Sequence, residues 1–281
     1  MRRYFFFALL SSLLFACTSQ DVKIDAKQSQ AHYKLGLEFA QLSLFKNALE
    51  EFDLAIKFNP EDAKVYRKKG ILLFGMKKYE DAKNNFQKTI MLDPNDVQAQ
   101  INLGMVHYTS GNKTEALKSW EHAVRLNPDD NDSKALNNIG NVYKTNNDLP
   151  RAIEYYQKAI TYEPTNSNYL NNLGDSYRLT GDLDKAKETL LRSLEVDTNG
   201  MLTHFNLGIL YQTEGNFNKA IDSFQKSLNI NPSYTEAYYQ LATTHLKTNN
   251  KESAKQSLEK GLQADPNNLR FQELYNKVLA S

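Results

Sequence analysis

A side-chain amide recurs along the chain at nearly constant spacing, and an amide is well suited to binding polypeptide backbone. The residues are Asn102, Asn138, Asn172, Asn206 and Gln240, which lie 34 or 36 residues apart. Each amide offers one acceptor and two donors, which match the C=O and N–H groups of a peptide without reading its side chains. If one face of the fold aligns them, this amide row predicts sequence-tolerant binding of an extended segment. A frequent residue choice on a solvated face is the alternative explanation.

The single cysteine, Cys17, ends an apolar segment at the start of the chain. Arg2 and Arg3 precede this stretch over residues 4–15, which is shorter than the roughly 20 residues of a membrane-spanning helix. It predicts a secretory signal over residues 1–16. Residues 14–17, Leu-Phe-Ala-Cys, are similar to the bacterial lipobox, whose cysteine is lipidated. The resemblance implies a lipid anchor on Cys17 and a tether over residues 17–28. Because residue 18 is not Asp, it also implies the periplasmic face of the bacterial outer membrane. A chemically idle cysteine is the alternative.

Catalytic and metal-binding patterns do not occur in the sequence. It contains no H-E-x-x-H, phosphate-binding loop, G-x-S-x-G or dinucleotide fingerprint, and one cysteine cannot form an intrachain disulfide or a cysteine-based zinc site. The formal net charge of +1 creates no long-range field for nucleic acid. We therefore expect no enzyme activity, cofactor, metal, nucleic-acid partner or small-molecule substrate.

A repeat of 34 residues must position the amide row. Small residues recur at that period, and they are Gly36, Gly70, Gly104, Gly140, Gly174, Gly208 and Ala242. An alanine follows twelve residues after each, a bulky apolar residue comes four further on, and a proline ends every unit but one. Small residues let two helices approach closely, the bulky residue fills the volume between one hairpin and the next, and proline stops the second helix. The spacing predicts seven helical hairpins.

This arrangement of small, bulky and proline positions resembles the tetratricopeptide repeat family over residues 29–268. The resemblance implies an all-α fold, a right-handed superhelical solenoid, whose function is to bind a protein or extended peptide in its concave groove. The repeats are predicted over 29–62, 63–96, 97–132, 133–166, 167–200, 201–234 and 235–268. Apolar residues at 271, 274, 275 and 278 form a helical stripe, which predicts a capping helix over 269–281.

Some residues depart from the repeat. Two extra residues, within 129–133, lengthen the third junction, and Thr198 replaces the proline of the fifth repeat. We expect Gly200 to supply that turn through its access to positive φ. His107 and His245 occupy a position that holds tyrosine in three other repeats, so we expect them to replace tyrosine in packing.

In this family, the residue two before the glycine position faces the groove. Here that position holds Lys34 and Lys68, followed by the amide row, which resembles the asparagine ladder of some family members. Lys34, Lys68, Lys64 and Arg67 share these helix faces and are candidates to hold an acidic side chain or a terminal carboxylate. A solvated basic surface is the alternative. Apolar contacts to a peptide are expected from the adjoining aromatic residues Tyr33, Phe205 and Tyr239.

The predicted function is therefore that of a membrane-anchored periplasmic scaffold for protein binding. Among lipidated tetratricopeptide proteins, the chain is similar to type IV pilus biogenesis pilotins, which implies a role in assembling secretin multimers. An adaptor that delivers substrates to envelope proteases or peptidoglycan hydrolases is an alternative. A third is a targeting module whose catalytic partner is a separate protein. The repeat sequence leaves these functions open.

Overall fold

The computed structural model describes residues 24–126 and 133–280, which contain fifteen α-helices and no β-strand. The first fourteen helices form seven hairpins, each made of an A helix and a B helix. The A helices are α1 (Ala26–Gln41), α3 (Ala63–Gly75), α5 (Val97–Thr109), α7 (Ser133–Thr145), α9 (Ser167–Thr180), α11 (Met201–Thr213) and α13 (Thr235–Lys247). The B helices are α2 (Phe45–Phe58), α4 (Tyr79–Leu92), α6 (Lys113–Leu126), α8 (Leu149–Tyr162), α10 (Leu183–Val196), α12 (Phe217–Ile230) and α14 (Lys251–Ala264). With α15 (Leu269–Ala280) after them, they confirm the predicted all-α solenoid of seven hairpins and a C-terminal helix.

A residue with positive φ closes the turn of every hairpin at one fixed position. These residues are Gly111, Gly181, Gly215, Ser43, Lys77, Asn147 and Asn249. In the fifth hairpin, the next residue, Asp182, donates its backbone N–H to the carbonyl of Tyr177 at 3.0 Å. The Asp182 carboxylate then accepts a hydrogen bond from the backbone N–H of Lys185 and caps α10. This turn brings each B helix back along its A helix, and a side-chain cap is added in α8, α10, α12 and α14.

Each hairpin is closed by a bulky B-helix side chain that lies on the small residue of its own A helix. A Cβ atom placed on Gly140 would come within 2.7 Å of Cε1 of Tyr156, so no side chain fits there. The bulky residues also reach the next hairpin, since Phe86 shares a buried cluster with Leu103 and Val106 of α5. The bulky position therefore fills the hairpin as well as the junction, whereas the sequence indicated the junction alone.

The A helices line the inner side of the curve. Successive A helices, such as α7, α9 and α11, contact each other across the junctions, and successive B helices make no comparable contact. A stack of hairpins bends toward the side on which adjacent helices lie closer together. The concave groove is therefore an A-helix surface.

The two ends of the array differ. At the C-terminal end, Phe271 of α15 is 2% exposed and lies against Gly261 of α14, where no Cβ atom would fit. At the N-terminal end, the Asp25 carboxylate caps α1, which begins at Ala26. Residues 26–28 of the predicted tether are therefore helical.

The fifth junction does not use Gly200 as expected. Its φ is −65°, which any residue can adopt. Its N–H donates to the carbonyl of Asp197 at 3.1 Å, and Asp96 makes the same bond to Asp93 at the second junction. The turn therefore needs neither proline nor positive φ. Of the extra residues predicted within 129–133, only Ser133 lies in the described part of the chain.

Candidate peptide-binding groove

The amide row lies on the A helices, and two of its members are hydrogen-bonded to further amides on the preceding A helix. Nδ2 of Asn172 donates to Oδ1 of Asn137 at 2.9 Å, and Nδ2 of Asn206 donates to Oδ1 of Asn171 at 2.9 Å. Asn137 and Asn171 directly precede members of the predicted row and were not identified from the sequence. The Asn-Asn pairs at 137–138 and 171–172 are the sequence signal that would have identified them.

The members of the amide row differ in exposure. Asn138 and Asn172 are half-buried, whereas Asn206 is only 9% exposed. Because its Nδ2 also bonds Asn171, Asn206 supports the fold more than it faces a ligand. Asn102 is half-buried on α5, and Gln240 on α13 donates to the Glu236 carboxylate at 2.9 Å.

A cluster of three charged residues lies beside the amides. Nζ of Lys144 is 3.2 Å from Oδ2 of Asp175, and Nη2 of Arg178 is 2.6 Å from Oδ1 of the same carboxylate. Each of the three side chains is less than a quarter exposed. Two cations share one carboxylate, so the cluster adds one net positive charge to this part of the groove. The repeat pattern in the sequence did not indicate this cluster.

A tyrosine hydroxyl joins the charged cluster to the core. The hydroxyl of Tyr156 donates to Oδ1 of Asn141 at 2.7 Å. Burial raises the pKa of Tyr156, and the nearby Asp175 carboxylate raises it further. Tyr156 therefore stays protonated and acts as a hydrogen-bond donor.

The predicted basic cluster is partly neutralised. Nε of Arg67 lies 2.8 Å from Oδ2 of Asp96, and the Asp96 carboxylate also caps α5, so this cation is committed within the fold. Lys34 is exposed, Lys68 is half-buried, and neither forms an ion pair with another described residue. Lys34 and Lys68 therefore remain candidates to contact a partner, and Arg67 positions α5.

The three candidate aromatic residues are packed into the fold. The Tyr33 ring lies on Phe52, Phe205 lies between Phe224 and Tyr234, and Tyr239 lies edge-on to Phe271. Arg270 of α15 covers the Tyr239 ring at 4.2 Å. All three rings are partly buried, so packing within the fold accounts for them.

Cys17 and the predicted signal segment lie outside the described residues. In the part of the chain that the structure describes, every helix is too short or too polar to cross a bilayer. Residues 24–126 and 133–280 also contain no group of three His, Cys, Asp or Glu side chains placed to hold a metal ion.

The helices and their packing define an all-α solenoid in which the same hairpin is repeated seven times. Five family models described as tetratricopeptide repeat match residues 63–96, 97–130, 133–166, 165–233 and 211–278. The chain is a tetratricopeptide repeat protein. Proteins of this class are generally non-catalytic scaffolds for protein interaction.

Solved structures share this fold at low sequence identity. The Cut9–Hcn1 hetero-tetramer of APC/C matches with a TM-score of 0.72 and 19% identity over 90% of this chain, which spans 46% of that one. A tetratricopeptide repeat protein from Parabacteroides merdae ATCC 43184 matches with a TM-score of 0.70 and 14% identity over 90% of this chain and 99% of that one. The pilF protein of Pseudomonas aeruginosa matches with a TM-score of 0.66 and 19% identity over 76% of this chain and 97% of that one.

No curated protein sequence matches the chain significantly. Because 464 solved chains match it in structure, similarity of fold does not single out a partner.

Proposed function

We propose that the protein is a scaffold that binds an extended segment of a partner protein along its concave groove. A lipid on Cys17 holds it at the periplasmic face of the outer membrane. The partner is a subunit of a type IV pilus assembly, in which the scaffold assists secretin multimers to form.

The pairing of amides across neighbouring A helices is the observation that carries the groove assignment. After Asn137 accepts a hydrogen bond from Asn172, it keeps both of its N–H donors, and Asn172 keeps its carbonyl acceptor. One amide pair can therefore serve both a C=O and an N–H group of an extended chain. The bond also orients the two side chains before a ligand arrives, which lowers the entropy lost on binding.

The charged cluster adds a local preference to this backbone binding. Lys144, Asp175 and Arg178 carry one net positive charge beside the amides. A basic partner residue at this point would be repelled, and a neutral or acidic one would be accepted. In the first two hairpins, the ammonium groups of Lys34 and Lys68 likewise favour an acidic partner residue.

Two observations support the location and the pilus role. The lipobox-like residues 14–17 lie at the end of a short apolar segment, and a lipid adds about 0.8 kcal/mol of membrane affinity per buried methylene. The likeness to pilF of Pseudomonas aeruginosa extends over almost the whole of that protein.

A crosslinking experiment tests the partner and the groove together. A photo-crosslinking residue replaces Asn141 in the groove, and in a control it replaces the exposed Asn47 at the start of α2. We expect a secretin subunit to be captured from membranes through position 141 and not through position 47. Capture of a peptidase or murein hydrolase would favour the adaptor function, and equal capture at both positions would contradict the groove.

The membrane anchor is tested separately. Replacing Cys17 by Ala should release the protein from the membrane fraction. Continued retention of the variant would rule out the lipid anchor but leave the groove assignment intact.

A further inference from the structure

A pocket of about 660 Å³ opens on the B-helix side of the array, between the sixth and seventh hairpins. Its size falls within the range of about 300–1,000 Å³ that is typical of sites for small ligands. The pocket lies on the face opposite the groove, so the proposed binding of a peptide does not account for it.

At two positions that line this pocket, the seventh hairpin lacks a pair of side chains that the fourth, fifth and sixth hairpins have. In the fourth, fifth and sixth hairpins, a tyrosine of the A helix lies under a cation of the B helix. Arg151 lies 4.3 Å from the ring centre of Tyr143, and the pairs Lys185–Tyr177 and Lys219–Tyr211 are each separated by 5.5 Å. The seventh hairpin has His245 and Ser253 at these positions, and both line the pocket.

His245 occupies the tyrosine position and is half-buried, as expected, but its smaller ring also lines the pocket. The loss of the cation at Ser253 leaves the space above the imidazole open. A neighbouring amide also loses its partner hydroxyl. Nε2 of Gln157 donates to the hydroxyl of Tyr177 at 2.8 Å, and Gln225 is its equivalent at the mouth of this pocket, where His245 has no hydroxyl to offer.

The remaining walls of the pocket define which chemistry can enter. Leu228 and Leu241, which are 7% and 6% exposed, form an apolar floor together with Tyr238. Among the described residues that line the pocket, Lys260 at the rim is the one with a permanent charge. Burial lowers the pKa of His245, so its imidazole is uncharged at neutral pH. An apolar floor with one cation at the rim disfavours a positively charged ligand.

We propose that this pocket binds a small aromatic molecule that carries a hydroxyl group and a carboxylate. The ring of the ligand lies on the apolar floor, in the space that the tyrosine and the cation fill in the fourth to sixth hairpins. The ligand hydroxyl accepts a hydrogen bond from Gln225, and the carboxylate pairs with Lys260. From the sequence, we expected no small-molecule substrate. The proposed molecule is a ligand that stabilises the junction of two hairpins and is not chemically changed.

Calorimetric titration of the full chain with 4-hydroxybenzoate tests the pocket. We expect saturable binding to the unaltered protein. The double variant His245→Tyr, Ser253→Lys restores the pair seen in the fifth and sixth hairpins, so it should fold normally and bind at least ten-fold more weakly. Failure of the unaltered protein to bind, or unchanged affinity in the double variant, would overturn the proposal.

A second probe tests the charge preference. Tyramine has the same phenol but carries a cation in place of the carboxylate, so we expect it to bind at least ten-fold more weakly than 4-hydroxybenzoate. The variant Lys260→Glu should reverse this order. If both probes bind equally to the unaltered protein, the assignment of a carboxylate ligand is wrong.

Discussion

Asn172 of the fifth hairpin donates a hydrogen bond of 2.9 Å to Asn137 of the fourth, and these residues are 35 positions apart, one more than the repeat. The same offset joins Asn206 to Asn171. An amide therefore meets the residue before its counterpart in the preceding hairpin, because neighbouring A helices are shifted along each other. Two further amides, Asn137 and Asn171, therefore bond to members of the amide row, and Asn171 is buried.

Replacing Asn137 by Ala should weaken partner binding as much as replacing Asn172 by Ala. Each change removes one member of the amide pair, and a hydrogen bond contributes about 1 kcal/mol, or about five-fold in affinity. Asn206→Ala should have a smaller effect on binding because that side chain is buried. Affinity for the crosslinked partner segment is the measurement, with Asn47→Ala as an exposed control. Unchanged affinity in both Asn137→Ala and Asn172→Ala would contradict the groove assignment.

Replacing Gly140 by Ala should destabilise the fourth hairpin. The added Cβ would lie 2.7 Å from Cε1 of Tyr156, and overpacking of this kind costs about 1–3 kcal/mol. Gly75→Ala is the matched control, because nothing lies within 4 Å of a Cβ at that position. Urea unfolding followed by circular dichroism should show a lower midpoint for Gly140→Ala alone. A similar loss in both variants would mean that contact with Tyr156 is not the cause.

Replacing Lys77 by Gly should leave stability unchanged or raise it slightly. Lys77 has a φ of 61°, a conformation that costs a non-glycine residue about 1–2 kcal/mol, while the greater freedom of glycine in the unfolded chain offsets about 0.5–1 kcal/mol. Gly181→Ala reverses this exchange at the same turn position, where φ is 84°, and should lower the unfolding midpoint. If the two variants lose stability equally, the positive φ does not determine which residue is favoured at this turn position.

Stability should fall as the pH drops below about 6.5. Burial lowers the pKa of His107 and of His245 from the ordinary value of 6.5. The unfolded chain therefore binds these protons first, and the stabilisation present above this pH is lost as the pH falls through the folded-state pKa values. Urea midpoints between pH 7.5 and 5.5 should show the loss, and the double variant His107→Gln, His245→Gln should flatten it.

A separate loss should occur at lower pH. Hydrogen bonds from the Ser133 hydroxyl and from Asn166 lower the pKa of Glu163 from its ordinary value of 4.5. The ionised Glu163 therefore contributes to folding stability above this pH, and that contribution is lost as the pH falls below it. The double histidine variant should still lose stability below pH 4.5, which would separate this effect from that of the histidines.

The hairpins could be predicted from the sequence because their determinants are local. Gly140 and Tyr156 are sixteen residues apart within one hairpin, and that fixed separation is visible in every unit. The turn residue with positive φ lies seven positions after the small residue and belongs to the same hairpin. A period of 34 residues therefore carries the information that specifies each hairpin.

The details of the groove could not be predicted in the same way. The pairing of Asn172 with Asn137 depends on the shift between two neighbouring helices, and a period of 34 cannot reveal an offset of 35. From the sequence, we interpreted Arg67 as a free cation. Its partner, Asp96, is 29 residues away and caps the next A helix, so the pair is not apparent from the repeat. Contacts across a junction follow the packing of helices rather than the repeat.

Because each hairpin closes on its own small residue, a whole hairpin can be removed without disturbing the closure of the others. Deleting residues 167–200 would remove one complete unit and break none of the glycine–bulky pairs of the others. It would also bring Asn206 into the position that Asn172 holds opposite Asn137. Genetic duplication or loss of a single unit could thus change the length of polypeptide that the groove accommodates while preserving the chemistry by which it is held.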